Sequence, residues 1–393
     1  MIAVKEAFEA VRKNVSPLNQ NEFKNVSDSC GYVLFENVFS PINMPPFRQS
    51  AMDGYAINFH NENSYTVIDE VKAGDGHHPI LKTGEAIRIF TGAAVPDNAN
   101  AVIIQEKVTV EGKKIYIENT VPINDNIRPL GEQVKKESVA LKKGLRLTPS
   151  AIGFLASLGL TRVNVYKKPS IAIVVTGNEL IEAGQTLTYG SIYESNSGML
   201  LNALKSLGFN NITTHTVEDN YPNTLAKLDK VIAENDMVII TGGISVGDYD
   251  FVGKALNKLD VNEVFYKVKQ KPGKPLFFGK KENSFVFALP GNPAAALSCF
   301  YLYVNTALQK MNGNINYTLT KITAKSSTEY IRKGDRAQFL KATYQNGEAT
   351  ILEGQSSAML QTFALANALV YVPETINFIK INDTVEVILL PIN

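Results

Sequence analysis

The spacing of apolar residues changes twice along the chain, near Lys168 and near Asn316, and marks off three stretches. In the first, Ile2, Ala7, Phe8 and Val11 fall at helical spacing and predict a short helix over residues 2–12. An irregular region follows, in which Pro41, Pro45 and Pro46 ahead of Asp53-Gly54 predict extended chain and then a turn. Next comes a β-rich piece. It holds Ala86–Phe90, the turn Thr91-Gly92-Ala93, Ala101–Gln105, and a hairpin over Lys107–Glu118 turning at Glu111-Gly112. Arg128–Glu132 lies in a further loop, and Pro149–Leu158 reads as a helix stopped at Gly159.

From Lys168 strands and helices alternate. Ser170–Val175 is a continuous apolar strand leading into Thr176-Gly177-Asn178-Glu179-Leu180. Ser195 or Asn196 is expected to cap a helix with Met199, Leu200, Ala203, Leu204 and Leu207 on one face, ended by Gly208. Asn211–Val217 is a strand, and Pro222 suits the first turn of a helix over residues 222–234. The strand Met237–Ile240, a helix over 251–259, the strand Glu263–Val268 and the strand Phe285–Leu289 follow, before a long apolar helix ending near Gln309. Such alternation predicts a mostly parallel, doubly wound sheet, with its ligand site at the carboxyl ends of the strands. Beyond Asn316 the alternation stops. Leu319–Ala324, Gln338–Tyr344, Ala349–Leu352, Leu369–Val372 and Thr384–Leu390 read as short strands of a small β-barrel or sandwich.

Composition narrows the function classes. At 393 residues the chain has room for about two to four domains. Its 39 basic and 38 acidic side chains nearly cancel, which gives no electrostatic case for nucleic acid or an anionic membrane. The first residues lack the apolar core of a secretory signal, and no apolar run approaches the ~20 residues that span a bilayer. Cys30 and Cys299 are far apart and are expected to be buried small hydrophobes, as in a reducing compartment, so the chain reads as cytoplasmic.

Candidate chemistry lies in the loops at strand ends. After Met237–Ile240 come Thr241, Gly242, Gly243, Ser245 and Gly247, then the carboxylates Asp248 and Asp250. A glycine-rich turn lets backbone N–H groups face an anion, and carboxylates beside a phosphate call for a divalent cation between them. A tight structural turn is the plain alternative. Lys271-Pro272-Gly273-Lys274-Pro275 holds two ammonium groups on stiff backbone, as a bound oxyanion needs, or else is a solvated turn. Pro290-Gly291-Asn292-Pro293 precedes a helix whose N-terminus could face an anion. Asp53, Glu179, Asp219, Asp248 and Asp250 are candidate Mg2+ ligands, each also readable as a cap or surface carboxylate; His77-His78 reads as solvent-facing. The motifs of a triad hydrolase, a zinc enzyme and a P-loop ATPase do not occur.

Taken together, these motifs resemble the MoeA family. Pro45-Pro46-Phe47, Ser50–Ala56, Thr91-Gly92-Ala93, Val95-Pro96, Gln105-Glu106 and Arg128–Glu132 resemble its N-terminal half. Thr176–Leu180, Ser195-Asn196, Gly242–Gly247, Lys271–Pro275 and Leu289–Pro293 resemble its central molybdopterin-binding domain, and Arg336 and Ala364–Pro373 its C-terminal domain. The resemblance covers nearly the whole chain. It implies an α/β multidomain protein with a central doubly wound, mostly parallel sheet domain, an N-terminal mixed α+β and β-rich region, and a C-terminal small β-barrel. The implied division is a linker and dimerisation domain over 1–50 and 137–168, an inserted β-rich domain over 51–136, the molybdopterin-binding domain over 169–315, and the barrel over 316–393.

The implied activity is that of a molybdopterin molybdenumtransferase, which uses Mg2+, takes molybdate and adenylylated molybdopterin, and releases AMP and molybdenum cofactor. It further implies a homodimer whose active cleft lies between subunits, and transient contact with the upstream adenylyltransferase and with cofactor-accepting enzymes. Carried over by motif, catalysis falls to Asp53, Thr91, Glu179 and Asp250, and the cation to Asp53, Glu179, Asp219 and Asp250. Gly242, Gly243, Ser245, Gly247, Lys271, Lys274, Pro290, Gly291, Asn292 and Pro293 would hold pterin phosphate and nucleotide. Lys274, Arg336 and Ser356 or Ser357 would catch molybdate, a dianion suited to cationic donors. Three positions depart from the family pattern: Gln133 and Asn178 replace aspartates, and Ala295 replaces a serine. These leave molybdate against tungstate open. A related adenylyltransferase and a non-catalytic scaffold on this fold are the alternative readings.

Overall fold

The computed structural model describes residues 1–244 and 251–391. The chain forms two compact units, Phe23–Val165 and a larger one made of Met1–Glu22 with the chain from Tyr166 onward.

In the Phe23–Val165 unit, a six-stranded sheet runs in the order Ala101–Ile104, Gly54–Ile57, Glu85–Ile89, Ser64–Val71, Lys114–Ile117, Val108–Glu111. Alternate residues enter separate cores: Ala56, Ile87, Ile89 and Val102 in one, Ile57, Ala86, Ile103 and Ile115 in the other. The expected hairpin forms, with Gly112 at φ +61° in its turn. The long strand Ser64–Val71 escaped the sequence reading, because its exposed Asp69 and Glu70 break the apolar pattern. The helix Pro149–Ser157 starts on the side chain of Thr148, which accepts from the Ala151 amide.

The larger unit is built around a second six-stranded sheet, ordered Ile212–Val217, Ile171–Thr176, Met237–Thr241, Ser284–Leu289, Phe277–Lys281, Asn262–Tyr266. Its first four strands are parallel and the last two join antiparallel. Both faces are covered, which explains the unbroken apolar runs. Ile171, Ile173 and Val175 face the side of helices Asn196–Ser206 and Pro293–Cys299, whereas Ala172 and Val174 face that of Tyr221–Glu234 and Phe251–Lys258. Phe277–Lys281 was not anticipated, since Gly279 and two lysines dilute its signal. The long apolar helix runs to Met311 through a π-helical turn at Phe300–Val304. The first helix, Val4–Asn14, buries Val4, Ala7 and Val11 in the same core.

After the central sheet, Lys321–Ser326, Thr384–Leu389, Ala368–Val372, Ala337–Gln345 and Glu348–Ile351 pair in that order and close as Lys325-Ser326 meets Glu348-Ala349. This is a five-stranded barrel, not an open sandwich.

Two local expectations need correction. Ser195 occupies the N-cap position without capping through its side chain; Glu194 does that work, accepting from the Ser197 amide at 2.9 Å. A carboxylate at a helix start gains from the dipole as well as the bond. Cys299 is buried, but Cys30 is exposed, in a polar turn whose next residue, Gly31, has φ +80°.

Candidate functional site

A pocket of about 610 Å³ opens at the carboxyl ends of the parallel strands, where the alternation placed it. Thr176, Thr241 and Pro290 end or follow three adjacent strands and form its floor. Gly242 and Gly243 have φ of +92° and +58°, which other residues adopt only with strain. A Cβ on Gly242 would also stand 2.4 Å from the Thr176 carbonyl oxygen. Glycine here lets one strand end pass close to its neighbour. Asn196, 9 % exposed, ties the floor together: its side-chain amide donates to the Thr241 hydroxyl and the Gly291 carbonyl, each at 2.8 Å. Its buried Oδ1 has no partner among the described residues.

Glu179 and Asp219 both line this pocket. Burial raises the Asp219 carboxyl above its ordinary value, and the Glu179 charge raises it further. Asn178, one of the departures, accepts the Asp219 amide N–H at 2.9 Å through Oδ1. The substitution keeps this bond, which an aspartate could also make, and removes one negative charge. Two neighbouring carboxylates that repel each other are of the donor type a hard divalent cation takes, although the described residues contain no group of three or more acidic, His or Cys side chains able to hold a metal. Asp248, Asp250, Ser245 and Gly247 lie outside the described residues.

The lysine loop is fixed from beneath. Gln270, fully buried, donates through Nε2 to the Gly273 carbonyl at 3.3 Å and accepts from the Tyr303 hydroxyl. Gly273, at φ +85°, lies against Cys299, whose Sγ would be 2.3 Å from a Cβ there. Arg336 donates to the Gln270 carbonyl at 3.1 Å, and Gln270-Lys271 pairs in parallel with Ala337-Gln338 of the barrel. Lys271 is half-buried and Lys274 exposed.

Another barrel loop reaches the Pro290–Pro293 turn. Asn292 donates its side-chain amide to the Ser357 hydroxyl at 3.0 Å, and the Ala295 amide donates to the Ser357 carbonyl at 3.1 Å. The helix N-terminus expected to face an anion thus gives one of its amides to Ser357. The absent hydroxyl at Ala295 leaves that backbone bond intact. Ser356 is exposed and Ser357 half-buried, while Ala358, the next residue, lines the pocket.

Asp53 and Thr91 belong to the Phe23–Val165 unit. One carboxylate oxygen of Asp53 accepts both the Thr91 amide and hydroxyl, each at 2.7 Å. The Thr91 backbone bond and then its hydroxyl hold the Asp53 carboxyl below its usual value against an opposing desolvation, with a lesser lowering by the Arg88 charge. The next residue, Gly54, lies so close to the neighbouring strand that a Cβ there would stand 1.8 Å from the Ile103 carbonyl oxygen. Gln133 is exposed, and its backbone N–H donates to the Met44 carbonyl at 2.8 Å. His77 is exposed and bonds Asp69 at 3.1 Å.

Sequence reading missed Glu194, which caps the helix beside the pocket, Gln270, which fixes the lysine loop, and Lys341, whose side chain bonds the Gly354 and Met359 carbonyls. Gln270 adjoins the lysine motif, and Lys341 interrupts an apolar strand; those were the available signals.

Comparison with known proteins covers the chain from end to end. Residues 2–159 match the MoeA N-terminal region (domain I and II), 172–310 a probable molybdopterin binding domain, and 323–390 the MoeA C-terminal region (domain IV). A protein of Haemophilus influenzae named molybdopterin molybdenumtransferase is 33% identical, over 98% of each chain. One of the same name from Staphylococcus epidermidis is 31% identical, over 100% of this chain and 96% of its own. The crystal structure of a molybdopterin biosynthesis moeA protein from Pyrococcus horikoshii aligns with a TM-score of 0.86 and 32% identity, covering 99% of this chain and 100% of that one. On full-length likeness in sequence and in fold, the chain belongs to the MoeA family.

Proposed function

We propose that the protein is a molybdopterin molybdenumtransferase, which cleaves the pyrophosphate link of adenylylated molybdopterin, inserts molybdate and releases AMP. The observation that carries this reading is the pocket at the strand ends, walled by the glycine turn and the Pro290–Pro293 turn. In this reading Gly242, Gly243 and the Pro290–Pro293 turn receive the phosphate and nucleotide, since their backbone can come close to an anion. Lys271 and Lys274 neutralise phosphate charge, and Lys274, Arg336, Ser356 and Ser357 donate to molybdate. Glu179 and Asp219, with Asp53 and Asp250, would hold Mg2+, which supplies charge neutralisation at the phosphates. Asp53 and Thr91 take part in catalysis as a preformed pair, the carboxylate being held ionised by two donors. No covalent nucleophile enters the reading; positioning and charge compensation carry the transfer.

The four-domain division over 1–50 with 137–168, 51–136, 169–315 and 316–393, the homodimer with a cleft between subunits, the cytoplasmic location and the contacts with upstream and accepting enzymes are part of the same proposal. Support for them is the family likeness; among the described residues no helix is long and apolar enough to cross a membrane.

The deciding experiment measures AMP release from adenylylated molybdopterin with Mg2+, with molybdate, with tungstate and with neither. Molybdate-dependent release is expected, and it would make Gln133, Asn178 and Ala295 tolerated variations. Tungstate preference would make them selectivity changes. No release with either oxyanion would overturn the proposal in favour of a scaffold, and consumption of ATP with free molybdopterin would favour an adenylyltransferase.

A further inference from the structure

Lys341 lies within the barrel strand Ala337–Gln345 and is only 3 % exposed. A buried ammonium is costly unless its protons are satisfied, and no carboxylate pairs with it among the described residues. Its donors go instead to three carbonyl oxygens of one loop: Gly354 at 2.7 Å, Met359 at 3.0 Å and Ser356 at 3.2 Å. Gln355 locks the same loop to the Lys341 backbone in both directions, accepting from its amide and donating to its carbonyl, each at 2.9 Å. A neutral hydrophobe would fill the space but could not gather three carbonyls.

In a trans peptide the carbonyl and the following N–H point in opposite directions. With the Ser356 carbonyl drawn towards Lys341, the Ser357 N–H points away from the Lys341 ammonium. Ser357 is also the residue fastened to the Pro290–Pro293 turn through Asn292 and Ala295. We propose that Lys341 is the positioning residue for oxyanion capture: it sets the Gly354–Met359 loop so that Ser357 presents its amide and hydroxyl to molybdate, while its own charge stays behind the loop. The inference rests on the transferase reading and extends it to a residue that does not touch the substrate.

The test compares wild type with Lys341→Met and Lys341→Gln. Dissociation constants for molybdate and for tungstate are measured by calorimetry, KM for molybdate and for adenylylated molybdopterin by AMP release, and folding by thermal melting. Lys341→Met is expected to weaken molybdate binding and raise its KM at least tenfold, with the KM for the pterin nucleotide within twofold of wild type. Lys341→Gln keeps two donors and should fall between the two, and serves if the methionine variant does not fold. Equal changes in both KM values would mark a general structural role and overturn the inference, as would molybdate binding unchanged in a folded variant. Wild-type turnover judges the transferase reading separately. A wild type that binds neither oxyanion would remove the loop as an oxyanion site.

Discussion

The side-chain amide of Asn196 lies 2.8 Å from the hydroxyl of Thr241 and bridges it to the Gly291 carbonyl, so one buried residue joins a helix start to two strand ends. Asn196→Ala would leave two acceptors without their donor beneath the pocket. Unfolding should become easier by about 1–3 kcal/mol, read as a lower Tm and urea midpoint. A change of only a few tenths would mean that water replaces the amide without loss.

Gly273 has no room for a side chain. Gly273→Ala imposes left-handed backbone strain and a contact with Cys299, together about 2–5 kcal/mol. Adding Cys299→Ala should recover the contact part but not the backbone part. A double mutant as unstable as the single one would show that strain alone sets the cost.

Asp53 makes a pH prediction. Its carboxyl is held below the ordinary 3.8, so the interaction is present above that value and is lost as pH falls through the lower folded-state value. Between about pH 6 and 9 the group is ionised throughout and causes no limb in the activity profile. Thr91→Val keeps the backbone donor and removes the hydroxyl, so carbon-13 NMR should show the Asp53 titration moving up towards 3.8. Asp53→Ala should abolish AMP release with an unchanged circular dichroism spectrum; wild-type turnover would remove Asp53 from the mechanism.

Asn178→Asp restores a charge beside Glu179 and Asp219. If Mg2+ binds there, its affinity should rise by about 1 kcal/mol, roughly fivefold at solvent-like screening. Titration calorimetry with Mg2+ gives the answer, and an unchanged affinity would place the cation elsewhere.

The two thiols should differ sharply. Cys30 is exposed, whereas burial raises the Cys299 thiol well above its usual range. One thiol per chain should react with a chromogenic disulfide in the native state and the second only on unfolding. Two fast thiols would contradict the burial of Cys299.

How far the sequence could be read depended on how directly each residue's surroundings repeat in its neighbours. Ile171–Val175 and Met237–Ile240 announced buried strands because both their faces meet helices, and the pocket at their ends followed from topology. The barrel strands were recognisable too, each within a few residues. What stayed hidden was set by contacts distant in sequence. Lys341 looks like a solvated position until the loop that closes over it is known. Glu194 was passed over because Ser195 and Asn196 are stronger caps by residue type, and Asn196 is occupied instead with Thr241 and Gly291.

The two-residue pairing of Gln270-Lys271 with Ala337-Gln338 makes the lysine loop a seam sewn from both sides. One side is the buried Gln270–Tyr303 bond of the α/β core, and the other is the edge of a barrel strand. The lysine loop of the central segment therefore takes one of its two anchors from the barrel. Cutting the chain before the barrel would strip the loop of its strand partner and of the Arg336 bond together. An exchange of C-terminal domains would keep both anchors of the charge-bearing loop only where the incoming domain offers a strand edge in the same register.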